Sequence, residues 1–205
     1  MGDRPQKQKG AYSWEDYLDF PDDHRWEIVG GEVFDMTASP ASRHQIISQS
    51  LVRRLGDFLD KKSCRVFHAP MDVKLSEQDV VQPDLFVICR ETQIRETHIE
   101  GPPELAIEIL SPSSVFHDRI RKLNLYLRHG VQEYWLVTPF PSSVEIFLLD
   151  GNTYRLHSTF AKADILTSPS LDGLKIDLTR VFDFPVDPQE EMSVVREGHP
   201  VYATT

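Results

Sequence analysis

Residues 82–110 read QPDLFVICRETQIRETHIEGPPELAIEIL, and this stretch decides how the fold is interpreted. It contains two short apolar runs, 82–89 and 103–110, which are rich in β-branched and aromatic residues. Pro, Gly and polar clusters bound both runs. This pattern is typical of strands that are largely buried. We therefore predict two strands, joined by a polar connection.

Each predicted strand carries one carboxylate. Asp84 opens the first strand directly behind Pro83, and Glu108 lies between two isoleucines in the second. Carboxylates are rarely fully buried unless they are paired or bound to a metal. If the strands are neighbours, the two acids meet at one site. The alternative is that Glu108 faces solvent on a half-exposed strand while Asp84 caps a turn, and the spacing alone leaves both open.

Several longer motifs occur in order along the chain: WEIVGGEV at 26–33, QPDL at 82–85, EILSPS at 108–113, the series Asp118, Lys122 and Tyr126, and GVQEYWLV at 130–137. Together they resemble the Uma-type family of restriction-endonuclease-like proteins, in the PD-(D/E)xK nuclease superfamily. The resemblance covers residues from about 14 to about 184. It departs from the superfamily motif at Leu110, which stands where the motif has its lysine.

The resemblance implies an α/β fold of the restriction-endonuclease type, with a mixed β-sheet flanked by helices and an N-terminal β-hairpin. It also implies a metal-dependent endonuclease that hydrolyses phosphodiester bonds in DNA. Asp84 and Glu108 would hold Mg²⁺, or Mn²⁺ as a substitute, with the backbone carbonyl of Ile109 as a further ligand. Lys122, from a helix, would replace the lysine missing at Leu110 and act as the third catalytic residue.

Four further residues are candidates for supporting the site. Gln82 and Tyr126 would position the catalytic groups. His44 would lie near the site if its helix packs there, although a core or capping role is the plainer interpretation. Glu27 is a candidate further acid, although a solvent-facing strand glutamate is the plainer interpretation.

The remaining elements follow from periodicity and turn signals. Gly30-Gly31 predicts a hairpin between residues 26–29 and 32–36, and Ser13 predicts the start of a short helix. Long helices are predicted at 42–62 and from about 113 to 129, a strand at 64–75, and a three-strand meander at 133–138, 144–149 and 154–157. The second long helix is predicted to bury a stripe of Phe116, Ile120, Leu123 and Leu127.

A chain of 205 residues is long enough for one domain with a proper core. We expect a disordered lead-in at 1–12, a single nuclease-like domain at 13–185, and an acidic, proline-bearing tail at 186–205. The chain has no membrane-length apolar run and no signal-peptide core at its start, so we expect a cytoplasmic location. Its two cysteines, Cys64 and Cys89, are then expected to be reduced core thiols.

The net charge of −10 is unfavourable for a nucleic-acid enzyme, because Lys and Arg dominate phosphate binding. Local charge and bound divalent ions can reverse that balance at a site. The alternative function is therefore a catalytically inactive nuclease-like scaffold that binds nucleic acid or a protein partner. DNA versus RNA as the target, and whether the protein is a homodimer, stay open.

Overall fold

The structure, a computed structural model, describes residues 10–21, 24–36, 41–111 and 116–185. The helices are α1 (Trp14–Leu18), α2 (Ser42–Leu59) and α3 (Leu123–Arg128), which a π-helical segment (His117–Lys122) precedes. The strands are β1 (Trp26–Val29), β2 (Glu32–Asp35), β3 (Arg65–His68), β4 (Asp72–Ser76), β5 (Asp79–Val81), β6 (Leu85–Ile88), β7 (His98–Glu100), β8 (Leu105–Ile109), β9 (Glu133–Thr138), β10 (Ser143–Asp150), β11 (Thr153–Ala161), β12 (Ile165–Thr167) and β13 (Lys175–Asp177). None of the helices in these ranges is long and apolar enough to span a membrane.

The strands form two mixed sheets, which corrects the expectation of a single sheet. The five-stranded sheet has the order β2-β1-β5-β4-β7, the six-stranded sheet has the order β11-β10-β9-β8-β6-β3, and β12 pairs with β13 separately. The stretch 64–75, predicted as one strand, is divided between β3 and β4, which belong to different sheets. Pro70 lies between them and has no N–H to continue a ladder. The meander of β9, β10 and β11 is confirmed.

The six-stranded sheet lies in the middle of the molecule. On one face it packs against the apolar stripe of α2, which repeats at three- and four-residue steps, and against the segment around β12 and β13. On its other face it packs against the five-stranded sheet and α3. A third cluster covers the opposite face of the five-stranded sheet and includes Trp26, Ile28 and Val80. The two sheets therefore pack against each other, with α3 contributing to the same core.

The N-terminal hairpin is confirmed. Gly30 and Gly31 have φ angles of 58° and 71°, a conformation that glycine adopts without steric cost. Along β1, Trp26 and Ile28 pack into the third cluster, so the alternate residue Glu27 lies on the opposite face of the strand, where it is buried. Tyr12, which the prediction placed in the lead-in, is buried in the third cluster. Residues 1–9 and 186–205, and so most of the lead-in and the whole tail, lie outside the described residues.

The buried face of the second long helix differs from the predicted stripe. Phe116 and Ile120 are 61% and 48% exposed, and the two leucines of that stripe are only half-buried. The buried side chains are instead His117, Asp118, Lys122, Leu125 and Tyr126. The prediction was wrong because it placed apolar residues inward, whereas this helix turns polar groups into a buried cluster where they contact one another or Glu27 and Glu108. Its predicted start near Ser113 lies outside the described residues.

Cys64 and Cys89 form a disulfide, which corrects the expectation of reduced thiols. The antiparallel register of β3 and β6 pairs Arg65 with Ile88. Cys64, which precedes β3, therefore stands opposite Cys89, which follows β6. Their Cα atoms are 3.9 Å apart. The expectation of thiols rested on the expected compartment and on the absence of a CxxC motif, and the strand pairing that brings the sulfurs together was not predicted.

Candidate active site

The site begins where β6 and β8 run side by side. Their antiparallel register pairs Leu85 with Ile107, which places Asp84 opposite Glu108 just beyond the paired residues. Side chains directly opposite each other on one face have Cβ atoms about 5 Å apart. The N–H of Ile109 donates to Asp84 Oδ2 at 2.8 Å and fixes that carboxylate against the neighbouring strand. The structure therefore brings the two predicted acids together.

Lys122 enters the site from the π-helical segment. Its Nζ lies 2.9 Å from Glu108 Oε1 and 2.8 Å from Glu27 Oε1, and the side chain is buried. Tyr126, one turn further along the helix, donates its hydroxyl to Glu108 Oε1 at 2.7 Å. Leu110, at the motif's lysine position, is buried among apolar residues. A helix thus supplies the ammonium group that the strand lacks.

Glu27 joins the five-stranded sheet to this cluster. It is 1% exposed, so its interpretation as a solvent-facing strand residue is wrong. Besides Lys122, its carboxylate contacts Nε2 of His117 at 3.0 Å and accepts the backbone N–H of Gln82 at 2.9 Å. Both of its oxygens are therefore engaged, by two side chains of the π-helical segment and by the main chain just before β6.

His44 lies in the first turn of α2 with Nε2 at 3.1 Å from Asp84 Oδ2. Its Nδ1 is buried and has no hydrogen-bond partner among the described residues. Gln82 contributes its backbone N–H to the site, where it bonds to Glu27. Its side chain bonds instead to Asp72 at 2.8 Å and to Arg25 at 2.9 Å. Tyr126, His44 and Glu27 therefore direct their side chains into the cluster of Asp84, Glu108 and Lys122. Gln82 is the exception, because its side chain bonds to residues outside the cluster.

The charges of the cluster are strongly coupled. Burial lowers the pKa of Lys122, but the surrounding carboxylates outweigh it and raise that pKa well above its usual range. Burial raises the pKa of Glu27, but Lys122 and His117 outweigh it and lower the pKa to about 2. Burial also raises the pKa of Glu108, and nearby carboxylates add to this effect against the attraction of Lys122. The cluster thus contains a Glu27–Lys122 ion pair beside Glu108, whose pKa is raised well above its usual range.

The donor set has oxygen ligands that fit a hard cation. Asp84 Oδ1 and Glu108 Oε2 accept no hydrogen bond from the described residues, whose donors bond to the other oxygen of each carboxylate. The carbonyl of Ile109 points to the same strand edge as its N–H, which contacts Asp84. Mg²⁺ is usually held by one or two carboxylates with waters completing its shell. In the described part of the chain, no group of three or more His, Cys, Asp or Glu side chains could hold a metal ion, so an all-side-chain site is not formed there.

Two residues beside the acids were not among the predicted site residues. His117 is buried between Glu27 and the ring of Phe34, whose centroid is 4.8 Å from its own. Asp118 lies 3.8 Å from Lys122 Nζ, one turn earlier in the helix. Asp118 belonged to the motif series, which was the available signal, whereas nothing in the sequence around His117 pointed to the site.

Comparisons with known proteins agree on the family and the fold. The model of the Uma2 family, described as "Putative restriction endonuclease", matches residues 14–179. The "Uncharacterized protein slr1290" of Synechocystis sp. (strain ATCC 27184 / PCC 6803 / Kazusa) is 30% identical over 142 residues, which are 67% of this chain and 73% of that protein. The crystal structure of a "putative nuclease belonging to DUF820" from Anabaena variabilis ATCC 29413 superposes with a TM-score of 0.69 at 19% identity, covering 83% of this chain and 97% of the other. At that identity the superposition shows the fold.

Proposed function

We propose, because this chain belongs to the Uma2 family, that it is a metal-dependent endonuclease that hydrolyses phosphodiester bonds in DNA. The observation that carries the proposal is the convergence of Asp84, Glu108 and Lys122 at the point where β6, β8 and the π-helical segment meet. Two acids and a lysine are the groups that the nuclease motif requires, and here the lysine comes from a helix. The choice of DNA and of a metal goes beyond the family's description.

Asp84, Glu108 and the carbonyl of Ile109 would hold Mg²⁺, with Mn²⁺ as a substitute. When bound, such an ion supplies Lewis acidity and positive charge next to a phosphate. The oxygens of Asp84 and Glu108 that accept no hydrogen bond from the described residues support this assignment, because a hard cation prefers oxygen ligands of this kind.

Lys122 would act as a fixed positive charge. Its raised pKa keeps the ammonium protonated, which favours stabilising negative charge on a reacting phosphate over accepting a proton. Glu27 holds this ammonium from the other sheet, at 2.8 Å, and so sets its position relative to Glu108. We assign Glu27 to positioning for this reason.

Tyr126 and His44 would orient the two acids. The hydroxyl of Tyr126 remains a donor to Glu108, since burial and the carboxylate both raise its pKa. His44 contacts Asp84 Oδ2, the oxygen that also accepts the N–H of Ile109. The other oxygen, Oδ1, accepts no hydrogen bond from the described residues. Both residues therefore bias which carboxylate oxygens are available to a ligand.

The alternative, an inactive nuclease-like scaffold, is favoured by one specific observation. Lys122 is buried and is already paired with two carboxylates, and such internal pairing is what a scaffold without catalysis would also have. The net charge of −10 also favours the scaffold, because an acidic protein repels phosphate. The two functions differ in whether the acids bind a divalent ion and support cleavage.

Cleavage of supercoiled plasmid and of single-stranded DNA with Mg²⁺ or Mn²⁺ tests the proposal. Asp84→Asn and Glu108→Gln should each lower the cleavage rate by at least about a hundredfold and should weaken Mg²⁺ binding measured by calorimetry. Asp172→Asn, at an exposed aspartate outside the site, is the matched control and should cleave like the wild type. Cleavage that persists in both site variants would contradict the assignment, and absence of cleavage with either metal would favour the scaffold.

A further inference from the structure

The π-helical segment has an outward face as well as the inward face that carries Lys122. On the outward side, Phe116 and Ile120 are 61% and 48% exposed, and the adjacent Arg121 is also exposed. Phe34 of β2 lies beside them. We call these four residues the aromatic–arginine rim. Contiguous exposed apolar side chains often mark surfaces that bind a ligand or a partner.

Arg121 is stacked on two aromatic rings of the rim. Its guanidinium carbon lies 4.6 Å from the centroid of Phe34 and 5.1 Å from that of Phe116. Stacking fixes the plane of a guanidinium while its N–H donors remain free at the edge. In the described residues, Arg121 has no hydrogen bond and no ion pair that would occupy those donors. They are therefore available to a phosphate.

The rim is connected to the candidate active site by direct contacts. The ring of Phe34 lies against the ring of His117, with centroids 4.8 Å apart. His117 contacts Glu27 at 3.0 Å, and Glu27 contacts Lys122 at 2.8 Å. The rim is thus three successive side-chain contacts from Lys122, on the side of the cluster that His117 forms.

We propose that the aromatic–arginine rim binds an unpaired nucleotide, with its base stacked on Phe116 and its phosphate bonded to Arg121. The substrate class is then single-stranded DNA, or a single-stranded segment within a duplex. This follows because both faces of a base in a duplex are covered by neighbouring bases, whereas an exposed aromatic ring stacks on a free base face. Stacking also offsets the electrostatic penalty of an acidic protein. The inference rests on the proposed function for its choice of DNA.

Binding of short fluorescent oligonucleotides without divalent cation tests this proposal by anisotropy at one fixed salt concentration. Phe116→Ala and Arg121→Gln should each weaken single-strand binding by about five- to a hundredfold, while Phe116→Trp should retain it. The controls are Leu156→Ala, an exposed apolar residue of β11, and Arg53→Gln, an exposed arginine of α2, and both should bind like the wild type. Thermal unfolding verifies that the surface variants fold.

The outcomes separate this inference from the proposed function. If the wild type cleaves DNA but the two rim variants bind and cleave normally, the inference is overturned and the nuclease stands. If the rim variants lose single-strand binding in a protein that cleaves nothing, the inference stands and the nuclease fails. Equal losses for duplex and single strand would overturn the single-strand preference. A homodimer that dissociates in Phe116→Ala, with DNA binding unchanged, would instead make the rim a contact between copies.

Discussion

At the scale of single residues, Lys122 determines the charge balance of the site. It is the cation among Glu27, Glu108 and Asp118, and all four side chains are buried. The motif resemblance identified Lys122, Asp84 and Glu108 from the sequence. The role of Glu27 could not be decided in that way, because its burial depends on a second sheet that covers the inner face of β1.

Replacement of Lys122 should destabilise the protein even in the absence of substrate. Lys122→Met leaves buried carboxylates without their cation, and we expect the free energy of unfolding to fall by about 3–5 kcal/mol. The double variant Glu27→Gln, Lys122→Met should recover part of that loss, because it also removes the carboxylate of the ion pair. Urea unfolding without divalent cation measures both, with exposed Lys175→Met as the control. Effects that simply add in the double variant would show that the two residues are not coupled.

At the scale of elements, local sequence signals predicted turns well, but they predicted less well which face of a helix or strand is buried. Gly30-Gly31 joins the paired strands β1 and β2, as its turn chemistry indicates. The second long helix was predicted with the wrong face inward, because a hydrophobicity pattern selects Phe116 and Ile120 over polar residues. Functional sites are where local rules of this kind are expected to fail.

The link between β3 and β6 gives a prediction at the same scale. The Cys64–Cys89 disulfide closes a loop with a sequence separation of 25. The double variant Cys64→Ala, Cys89→Ala should therefore lower the free energy of unfolding by about 3–4 kcal/mol. The main cause is the higher conformational entropy of an unfolded chain without the cross-link. Urea unfolding with and without reductant measures this effect, and reductant should destabilise the wild type but not the variant. Alkylation of both cysteines in the denatured, non-reduced protein would show that the bond is absent.

At the scale of the whole molecule, the site is formed by two sheets, a helix and the start of another helix. The sequence predicted most of the strands but not their division between sheets, since pairings such as β1 with β5 and β4 with β7 join distant segments. Asp79 is one of the side chains that hold this assembly together. Its carboxylate accepts the N–H of Gly30 at 2.7 Å and the hydroxyl of Ser76 at 3.0 Å, and it contacts His129 at 2.9 Å, so it ties the N-terminal hairpin to the end of α3.

These contacts make the stability of the assembly depend on acid pH. Burial raises the pKa of Asp79, but His129, Gly30 and Ser76 outweigh it, so the pKa is lower in the folded protein than in the unfolded chain. The carboxylate therefore contributes stability above the ordinary aspartate pKa of about 3.9, and this contribution is lost as the pH falls through the lower, folded-state pKa. Asp79→Asn should reduce the free energy of unfolding by about 1–3 kcal/mol at neutral pH, and the gap to the wild type should shrink below about pH 4. Urea unfolding across this pH range, with exposed Asp172→Asn as the control, measures the gap. A gap that stays constant or widens in acid would mean that the lowered pKa of Asp79 is not the source of its contribution.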